Sequence, residues 1–391
     1  MNRKFFCGIV SSLVIICMLS SCSIRLGDSG PSKHDDAINY GIETSDADYI
    51  IYDFDSINVF KKDKNNQLEL TKRVKRKDSD IRYWREFFRN FGNTYATRSS
   101  VSPDNNRVSM VTIDSSTLAQ KRFELDKNDD MFSLCIDDSY IYFSTPYAYS
   151  KIIFHRLSHD LADVEKFEFK CDKAVQFPIA MQPVGDNIFV LTGMYGFKNK
   201  PTDYLENHLF KFDRNFNLIK DIDLNFNDSG YQGMAYDGKH KLYITKSIEK
   251  VVNNKIVPSR EIICFDIEKE KELKRYQLSE SMPRFIKFDA ERNKLIIMRD
   301  YYQPGDLSFT ILSLANGEEQ VFSLQDAYSL PGQPKPPYFS MKNGICHFLL
   351  RDRIVVYDTY KKERVDLPLT KCDLKEPSFM IVKTLPSNLR K

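Results

Sequence analysis

The sequence has little of what common enzyme sites are built from. It contains six histidines and one tryptophan in 391 residues, and it lacks the strings G-x-S-x-G, H-E-x-x-H, G-x-x-x-x-G-K-[ST] and G-x-G-x-x-G. We therefore predict no catalytic residue, no metal site and no cofactor from sequence motifs. Their absence leaves open a site that collects side chains from distant segments.

The chain also lacks a strong excess of charge of one sign. It has 57 Lys and Arg against 54 Asp and Glu, a net charge of +3, so no overall field favours nucleic acid as a partner. The densest basic run, at 72–77, is followed by Asp78 and Asp80. We interpret this run as a solvated loop or edge, with anionic lipid or polysaccharide binding as the alternative.

Cysteines are few, and none forms a C-x-x-C pair or a zinc-like spacing. We interpret those after the N-terminal region as buried small side chains. One or two disulfides in an exported chain stay open as an alternative. The cysteines concerned are Cys135, Cys171, Cys264, Cys346 and Cys372.

The N-terminus has the pattern of a secretory signal. Arg3 and Lys4 precede an apolar run at 5–19, which is too short to span a membrane stably. The string Leu19-Ser20-Ser21-Cys22 resembles the lipobox of bacterial lipoproteins. This resemblance implies cleavage before Cys22 and its modification with acyl chains such as palmitate; an ordinary signal peptide is the alternative. We predict a signal peptide at 1–21, a lipidated polar tether at 22–45 and one domain at 46–391.

A repeated hairpin pattern occupies that domain. Strongly β-forming segments follow turn residues such as Asp, Asn and Gly, which suit tight hairpins. The later segments start 47, 54, 53 and 50 residues apart, as expected for four-stranded blades. The segments are 49–52, 108–113, 141–144, 188–191, 242–245, 295–298 and 345–350. The sequence therefore predicts an all-β propeller of four-stranded antiparallel blades, with seven blades or, alternatively, six.

Three details of this prediction are open to direct comparison with a structure. The interval from 108 to 141 is only 33 residues, so we expect a degenerate unit near Val108. The segment 81–91 has an aromatic stripe that favours a short helix. An unpaired strand at 379–383 is expected to complete the first blade and close the ring. A β-sandwich is the main competing fold, but it does not explain the period.

The combination of lipobox, polar tether and repeat resembles the β-propeller lipoproteins of Bacteroidetes, which are called TolB-like or NHL-like. The segment 102–106, Ser-Pro-Asp-Asn-Asn, is similar to the Ser-Pro-Asp-Gly turn of TolB-type blades, with Asn in place of Gly. The resemblance implies a cell-envelope protein without assigned catalytic residues. In lipoproteins of this kind an acidic run after the lipidated cysteine marks export to the cell surface, but the segment 23–28 has one acid and one base, so the resemblance implies an anchor that faces the periplasm. Residue 23 is Ser instead of the Asp of the inner-membrane retention signal, which favours the outer membrane.

Several connections between second and third strands are long and rich in aromatic residues, and they form the best candidate for a binding site. We expect them to emerge on one face of the ring, where aromatic side chains contact a glycan or a protein. Packing of these tyrosines onto the rim is the alternative. The residues selected for ligand or partner binding are Tyr147, Tyr149, Tyr195, Arg299, Tyr301 and Tyr302.

We therefore predict a non-enzymatic binding or scaffolding module for an envelope protein or glycan, attached to the membrane through its N-terminal lipid. The alternative is a propeller hydrolase or lyase with a site on the central axis. Asp186, Asp237 and Asp289 are candidates for such a site, although each stands where a hairpin turn favours Asp. Three or more clustered acids, histidines or arginines that line an axial pocket favour the enzyme, whereas a plugged apolar channel favours binding.

Overall fold

The structure is a computed structural model that describes 34–383 apart from twelve internal gaps. Within the described residues the regular elements are all β-strands, and none of these residues belongs to a helix long and apolar enough to cross a membrane. The predicted signal peptide and Cys22 lie outside the described residues. The gaps are 66, 79–80, 84–87, 102–107, 127–128, 148–150, 171–176, 196–204, 225–228, 253–254, 300–307 and 325–337.

Thirty strands follow one another along the described chain. The first nine are β1 His34–Ile38, β2 Tyr49–Tyr52, β3 Ser56–Lys62, β4 Leu68–Lys75, β5 Ile81–Tyr83, β6 Arg89–Phe91, β7 Thr94–Val101, β8 Val108–Asp114 and β9 Gln120–Glu124. The next twelve are β10 Ser133–Ile136, β11 Tyr140–Tyr147, β12 Lys151–Ser158, β13 Val164–Lys170, β14 Phe177–Val184, β15 Asn187–Tyr195, β16 Leu205–Asp213, β17 Leu218–Asp223, β18 Gly230–Tyr236, β19 Lys241–Val252, β20 Lys255–Asp266 and β21 Lys271–Gln277. The last nine are β22 Pro283–Asp289, β23 Lys294–Arg299, β24 Ser308–Ser313, β25 Glu319–Ser323, β26 Tyr338–Lys342, β27 Ile345–Leu349, β28 Arg353–Asp358, β29 Glu363–Pro368 and β30 Phe379–Val382.

These strands form seven antiparallel sheets, which are the blades of a propeller. Blade 1 has the order β30-β2-β3-β4, blade 2 contains β1 and β5 to β9, and blades 3 to 7 each take four consecutive strands from β10 onward. The first strands of successive blades contact one another in the pairs β6–β10, β10–β14, β14–β18 and β18–β22. They therefore surround a common axis. The prediction of an all-β propeller with seven blades is confirmed.

Burial changes across each blade in the way its residues predict. The second strand β2 and the third strand β28 are almost entirely buried, since both faces of the sheet pack against neighbouring blades. The fourth strands β4 and β21 are mostly exposed and rich in Lys, Arg and Glu. Runs such as Tyr-Ile-Ile-Tyr in β2 suit this environment because β-branched and aromatic side chains pack well on a pleated surface.

The C-terminal strand closes the ring. β30 pairs with β2, with Phe379 opposite Tyr52 and Val382 opposite Tyr49. The first blade thus takes its innermost strand from the other end of the chain, which leaves the inner edge of β2 paired. The predicted closure by this segment is confirmed.

Blade 2 corrects two of the sequence interpretations. Val108 begins the third strand of this blade, and the second strand is β7. With β7 in that place the second strands start 45 residues (49 to 94) and 46 residues (94 to 140) apart, so the unit keeps the period. The expected helix at 81–91 is wrong, because its described parts form β5 and β6, which both pair with β7. Pairing along the edge of β7 outweighs the helical spacing of the aromatic residues.

The ring has two distinct ends. The connections from second to third strands lie at one end of the ring, together with the connections from one blade to the next. We call this end the loop face. Turns from first to second and from third to fourth strands lie at the other end, the turn face. At the turn face, the Asp237 carboxylate accepts hydrogen bonds from the backbone N–H groups of Lys239 (2.8 Å), His240 (3.0 Å) and Lys241 (2.9 Å).

Candidate functional site

The loop residues selected from the sequence start from the same end of the ring. Tyr147, Tyr195 and Arg299 are the last residues of the second strands of blades 3, 4 and 6, so their connections all leave from the loop face. Tyr149, Tyr301 and Tyr302 lie outside the described residues, as do the side chains of Tyr147 and Tyr195. The topology thus agrees with a shared face, and the described part of this site is Arg299.

Arg299 links the end of the second strand of blade 6 to the segment that precedes the inner strand of that blade. Its Nη1 lies 2.8 Å from Oε2 of Glu280, and its Nε donates to the carbonyl oxygen of Ser281 at 3.1 Å. Both partners belong to the segment that leads from blade 5 into the inner strand of blade 6. Arg299 therefore positions the start of that inner strand at the loop face.

A second group of residues lies on the seven inner strands, which surround the propeller axis. In every blade the inner strand pairs with the second strand. The seven inner-strand residues that pair with the third residue of a second strand lie at about the same height along the propeller axis. We call this set the axial level: Arg89, Cys135, Gln182, Ala235, Lys287, Ser340 and Met380. Its two charged members are both cations.

Arg89 influences Lys287 electrostatically although their blades are not neighbours. Arg89 stands on blade 2 and Lys287 on blade 6, with blades 7 and 1 between them. Arg89 nevertheless lowers the pKa of Lys287, and Cys135 of blade 3 and Tyr338 of blade 7 act on Arg89. Electrostatic effects weaken with distance, so charges of blades 2, 3, 6 and 7 influence one another across the inner strands.

The pKa of Lys287 is lowered to about 8. Desolvation by the surrounding protein is the largest cause, and repulsion from Arg89 adds to it, while the Cys346 thiol acts in the opposite direction. Desolvation also lowers the pKa of Arg89. Yet Arg89 is exposed and Lys287 is half-buried. The two observations agree if both side chains line a solvent-accessible space enclosed by the ring.

Backbone and ring contacts hold the two cations. Arg89 Nη1 donates to the carbonyl oxygen of Phe88 at 2.8 Å. Lys287 Nζ lies 3.5 Å from the carbonyl oxygen of Phe339 and 4.9 Å from the centroid of its ring. Within the described chain, Lys287 forms no ion pair with a carboxylate. Its charge is therefore balanced only weakly by the described protein.

An aromatic cluster lies on the loop-face side of this level. Phe88 packs against Phe379, with ring centroids 3.9 Å apart, and against Tyr338 at 5.4 Å. Tyr83 meets Phe379 edge-on at 5.5 Å. Phe379 and Tyr338 are the first residues of their inner strands. The cluster thus ties blades 7, 1 and 2 together beside Arg89.

The acids considered for an axial enzyme site lie at the turn face, and two of them have described partners there. Asp237 organises the turn described above, and Asp186 is exposed in the corresponding turn of blade 4. Asp289 is buried, accepts a hydrogen bond from Thr359 Oγ1 at 3.1 Å and lies 3.5 Å from Arg292 Nη1. These contacts place the three carboxylates at the turn face.

The histidines and cysteines of the described chain are mostly buried in packed positions. His347 is fully buried between blades, and burial lowers its pKa to about 3. In the described ranges, no group of three or more His, Cys, Asp or Glu side chains is arranged to hold a metal ion. Cys135, Cys264, Cys346 and Cys372 are buried free thiols, and Cys171 lies outside the described residues.

Sequence reasoning missed both axial cations. Arg89 lies in the segment interpreted as a helix, and Lys287 lies in a first strand that carries no motif. Only the strand register places them at one depth, so nothing in the local sequence marks them.

No protein-family model and no curated protein sequence matches the chain. Among solved structures it is similar to apo AztD from Citrobacter koseri, with 12% identity, a TM-score of 0.48, and coverage of 85% of this chain and 96% of that chain. It is also similar to the dihydro-heme d1 dehydrogenase NirN in complex with DHE, with 12% identity, a TM-score of 0.47, and coverage of 88% and 79%.

Proposed function

We propose that the protein is a lipid-anchored binding module of the cell envelope, whose propeller receives a ligand or partner at the loop face and the axis. The observation that carries this proposal is the axial level, whose charged members Arg89 and Lys287 are both cations. Hydrolysis by general acid–base catalysis uses a proton donor and a proton acceptor at one place. Two cations beside an aromatic cluster suit binding better than that chemistry.

The proposed anchor is Cys22, in an outer-membrane lipoprotein of the Bacteroidetes type that faces the periplasm. Support comes from the lipobox and from the register of β1, in which His34 pairs with Phe123 and Ile38 with Gln120. Because β9 ends at the loop face, the chain also enters β1 from that side. The eleven residues between Cys22 and His34 can extend about 40 Å. The loop face would then stay within that distance of the lipid.

The binding role is tested with full-length protein in detergent. Its binding to arrayed envelope glycans and its cross-linking to envelope proteins are compared for the Tyr301→Ala/Tyr302→Ala variant and for Tyr360→Ala. Tyr360 is the matched control, since it is 75% exposed at the turn face. We expect the first variant to lose binding and the control to keep it. Equal behaviour of both variants, or no binding by the wild type, would contradict the proposal.

The anchor is tested separately by labelling cells with an alkyne analogue of palmitate. The wild type should take up the label and sediment with membranes, whereas Cys22→Ser should do neither. A labelled Cys22→Ser variant, or an unlabelled wild type, rules out lipidation at this residue.

A further inference from the structure

We propose that a projecting hairpin of blade 5 contacts an anionic phospholipid bilayer and places Val252 and Ile256 in the headgroup region. We call its described residues, 249–252 and 255–258, the blade 5 hairpin. The inference rests on the proposed anchor at Cys22, because it adds a second contact between the protein and the same membrane. It places the proposed binding face at the bilayer surface.

The blade 5 hairpin extends beyond the sheet to which it belongs. β19 and β20 have twelve residues each and are the longest strands of the described chain. The inner strand β18 pairs with β19 no further than Ile248, and the outer strand β21 pairs with β20 no further than Glu261. Beyond those residues β19 and β20 pair with each other alone. The hairpin therefore projects from the loop face.

Apolar side chains are exposed on both faces of the hairpin. Val252 and Ile256 are each 42% exposed. Val252 lies opposite Lys255, and Ile256 lies opposite Val251, so the two exposed side chains belong to opposite faces of the ribbon. A hairpin that packs against a protein covers one face, whereas a hairpin whose end enters a lipid interface is surrounded on both. This arrangement favours a bilayer over a protein partner.

Positive charge flanks these apolar residues. Lys250, Lys255 and Arg260 are exposed, and within the described ranges none of them forms an ion pair. The one acid of the hairpin, Glu249, is bound by Lys246 Nζ at 2.6 Å. Exposed apolar residues beside unpaired cations are the combination that binds an anionic lipid interface. The long stems of Lys250 and Lys255 allow their ammonium groups to reach lipid phosphates.

The base of the hairpin is fixed to the blade. Lys246 also lies 3.1 Å from Oε2 of Glu261, which joins the two strands below the projecting part. The backbone N–H of Met282 donates to the carbonyl oxygen of Ser259 at 2.7 Å and connects the hairpin to the segment before blade 6. A hairpin with a fixed base loses little conformational freedom when its end is held at a membrane.

The hairpin and the proposed tether lie on opposite sides of the ring. β1, which follows the tether, belongs to blade 2, and the hairpin belongs to blade 5, three positions away among seven blades. The chain enters β1 from the loop face, and the hairpin projects from that same face. Contacts on two sides of the ring would direct the loop face toward the bilayer.

The test uses the full chain, purified from membranes in detergent and reconstituted in vesicles of phosphatidylcholine with phosphatidylglycerol. Trp84, the one tryptophan of the sequence, is replaced by Phe in every variant. Lipids brominated near the headgroup quench a tryptophan that contacts them. We expect them to reduce the fluorescence of Val252→Trp by about twofold or more. Tyr360→Trp, at a 75% exposed position of the turn face, is the control and should keep its fluorescence.

Charge reversal tests the role of the lysines. Lys250→Glu/Lys255→Glu, combined with Val252→Trp, should remove most of the quenching, because the anionic lipid then repels the hairpin. Lys239→Glu/Lys271→Glu makes the same change of charge at exposed positions on the turn face of the same blade and should leave the quenching unchanged. Circular dichroism checks that the variants fold, and Ile256→Trp replaces Val252→Trp if the latter does not.

Three outcomes would overturn the inference. They are a lack of quenching of Val252→Trp at saturating vesicle concentration, equal quenching of Val252→Trp and Tyr360→Trp, and equal quenching in the two charge-reversal variants. In cells, Ile256→p-benzoylphenylalanine should form adducts with phospholipid on irradiation. Adducts with a protein alone would replace the bilayer by a protein partner.

The proposed anchor has a separate readout in the palmitate labelling of Cys22. Labelled protein that sediments with vesicles while Val252→Trp stays unquenched refutes the hairpin contact alone. If Cys22 carries no acyl chain, the anchor proposal fails, whereas quenching of Val252→Trp at saturating vesicle concentration still supports the hairpin contact.

Discussion

Arg76 and Asp78 form an ion pair that is almost completely buried beside the closure of the ring. Arg76 Nε lies 3.0 Å from Asp78 Oδ1, and the two side chains are 1% and 2% exposed. The hydroxyls of Tyr83 and Tyr40 donate to the same carboxylate at 2.6 Å and 2.8 Å. The pair thus joins the end of blade 1, the segment after β1, and the inner part of blade 2. The basic run at 72–77 is therefore only partly a solvated surface.

Replacing Arg76 should strongly destabilise the fold. Arg76→Met leaves the Asp78 carboxylate buried without its cation, which we expect to lower the free energy of unfolding by about 3–5 kcal/mol. Equilibrium unfolding in urea measures the change. Lys72→Met is the matched control from the same basic run, and its exposed position predicts a change within about 0.5 kcal/mol. Similar values for the two variants would show that the buried pair does not stabilise the closure.

His347 should make the propeller sensitive to acid. It is fully buried, with its ring 5.9 Å from that of Tyr49 across the junction of blades 7 and 1. Burial lowers its pKa to about 3, whereas a histidine in an unfolded chain titrates near 6.5. Between these values the unfolded state binds more protons. Stability should therefore fall as the pH drops from about 6.5 toward 3, by up to about 1.4 kcal/mol per pH unit for this residue.

The variant His347→Phe isolates that contribution. Urea midpoints measured from pH 7 downward should decline less steeply in His347→Phe than in the wild type. Val356→Ala is the control, because Val356 is buried opposite His347 in the sheet and does not titrate. It should lower every midpoint without changing the dependence on pH. An unchanged slope in His347→Phe would mean that His347 takes up a proton without unfolding.

Phe379 should be a major contributor to ring closure. Its ring stacks on that of Tyr52, with centroids 4.3 Å apart, and packs in a tilted arrangement against that of Phe88, with centroids 3.9 Å apart. We expect Phe379→Ala to lower the free energy of unfolding by about 3–5 kcal/mol, since it opens a cavity where blades 7, 1 and 2 meet. Leu218→Ala, at a 44% exposed position in an outer strand, is the control and should cost much less. Equal costs in urea unfolding would place the closure energy elsewhere.

The repeat was predictable because hairpins depend on neighbouring residues. Turn acids such as Asp237 and β-forming runs such as 345–349 act locally, and the blade count follows from their spacing. Blade 2 was misread because its inner strand is split into β5 and β6, so Val108 looked like a second strand. The loop-face tyrosines could be selected from the sequence, but the axial cations could not, because their proximity depends on the register of seven separate sheets.

The order of turns and β-forming runs in the chain was sufficient to determine the all-β architecture, the use of the last strand in the first blade, and the near balance of surface charge. The blades arise from interactions between residues close in sequence and the charge balance from composition, whereas the closing strand was predicted because the first blade lacked an inner strand and the last segment lacked a partner. Only the folded ring decided that Arg76 is buried, that His347 lies between two blades, and that Arg89 and Lys287 stand at one level of their inner strands. Those outcomes depend on packing between blades, where burial and electrostatic interactions act between residues far apart in the chain.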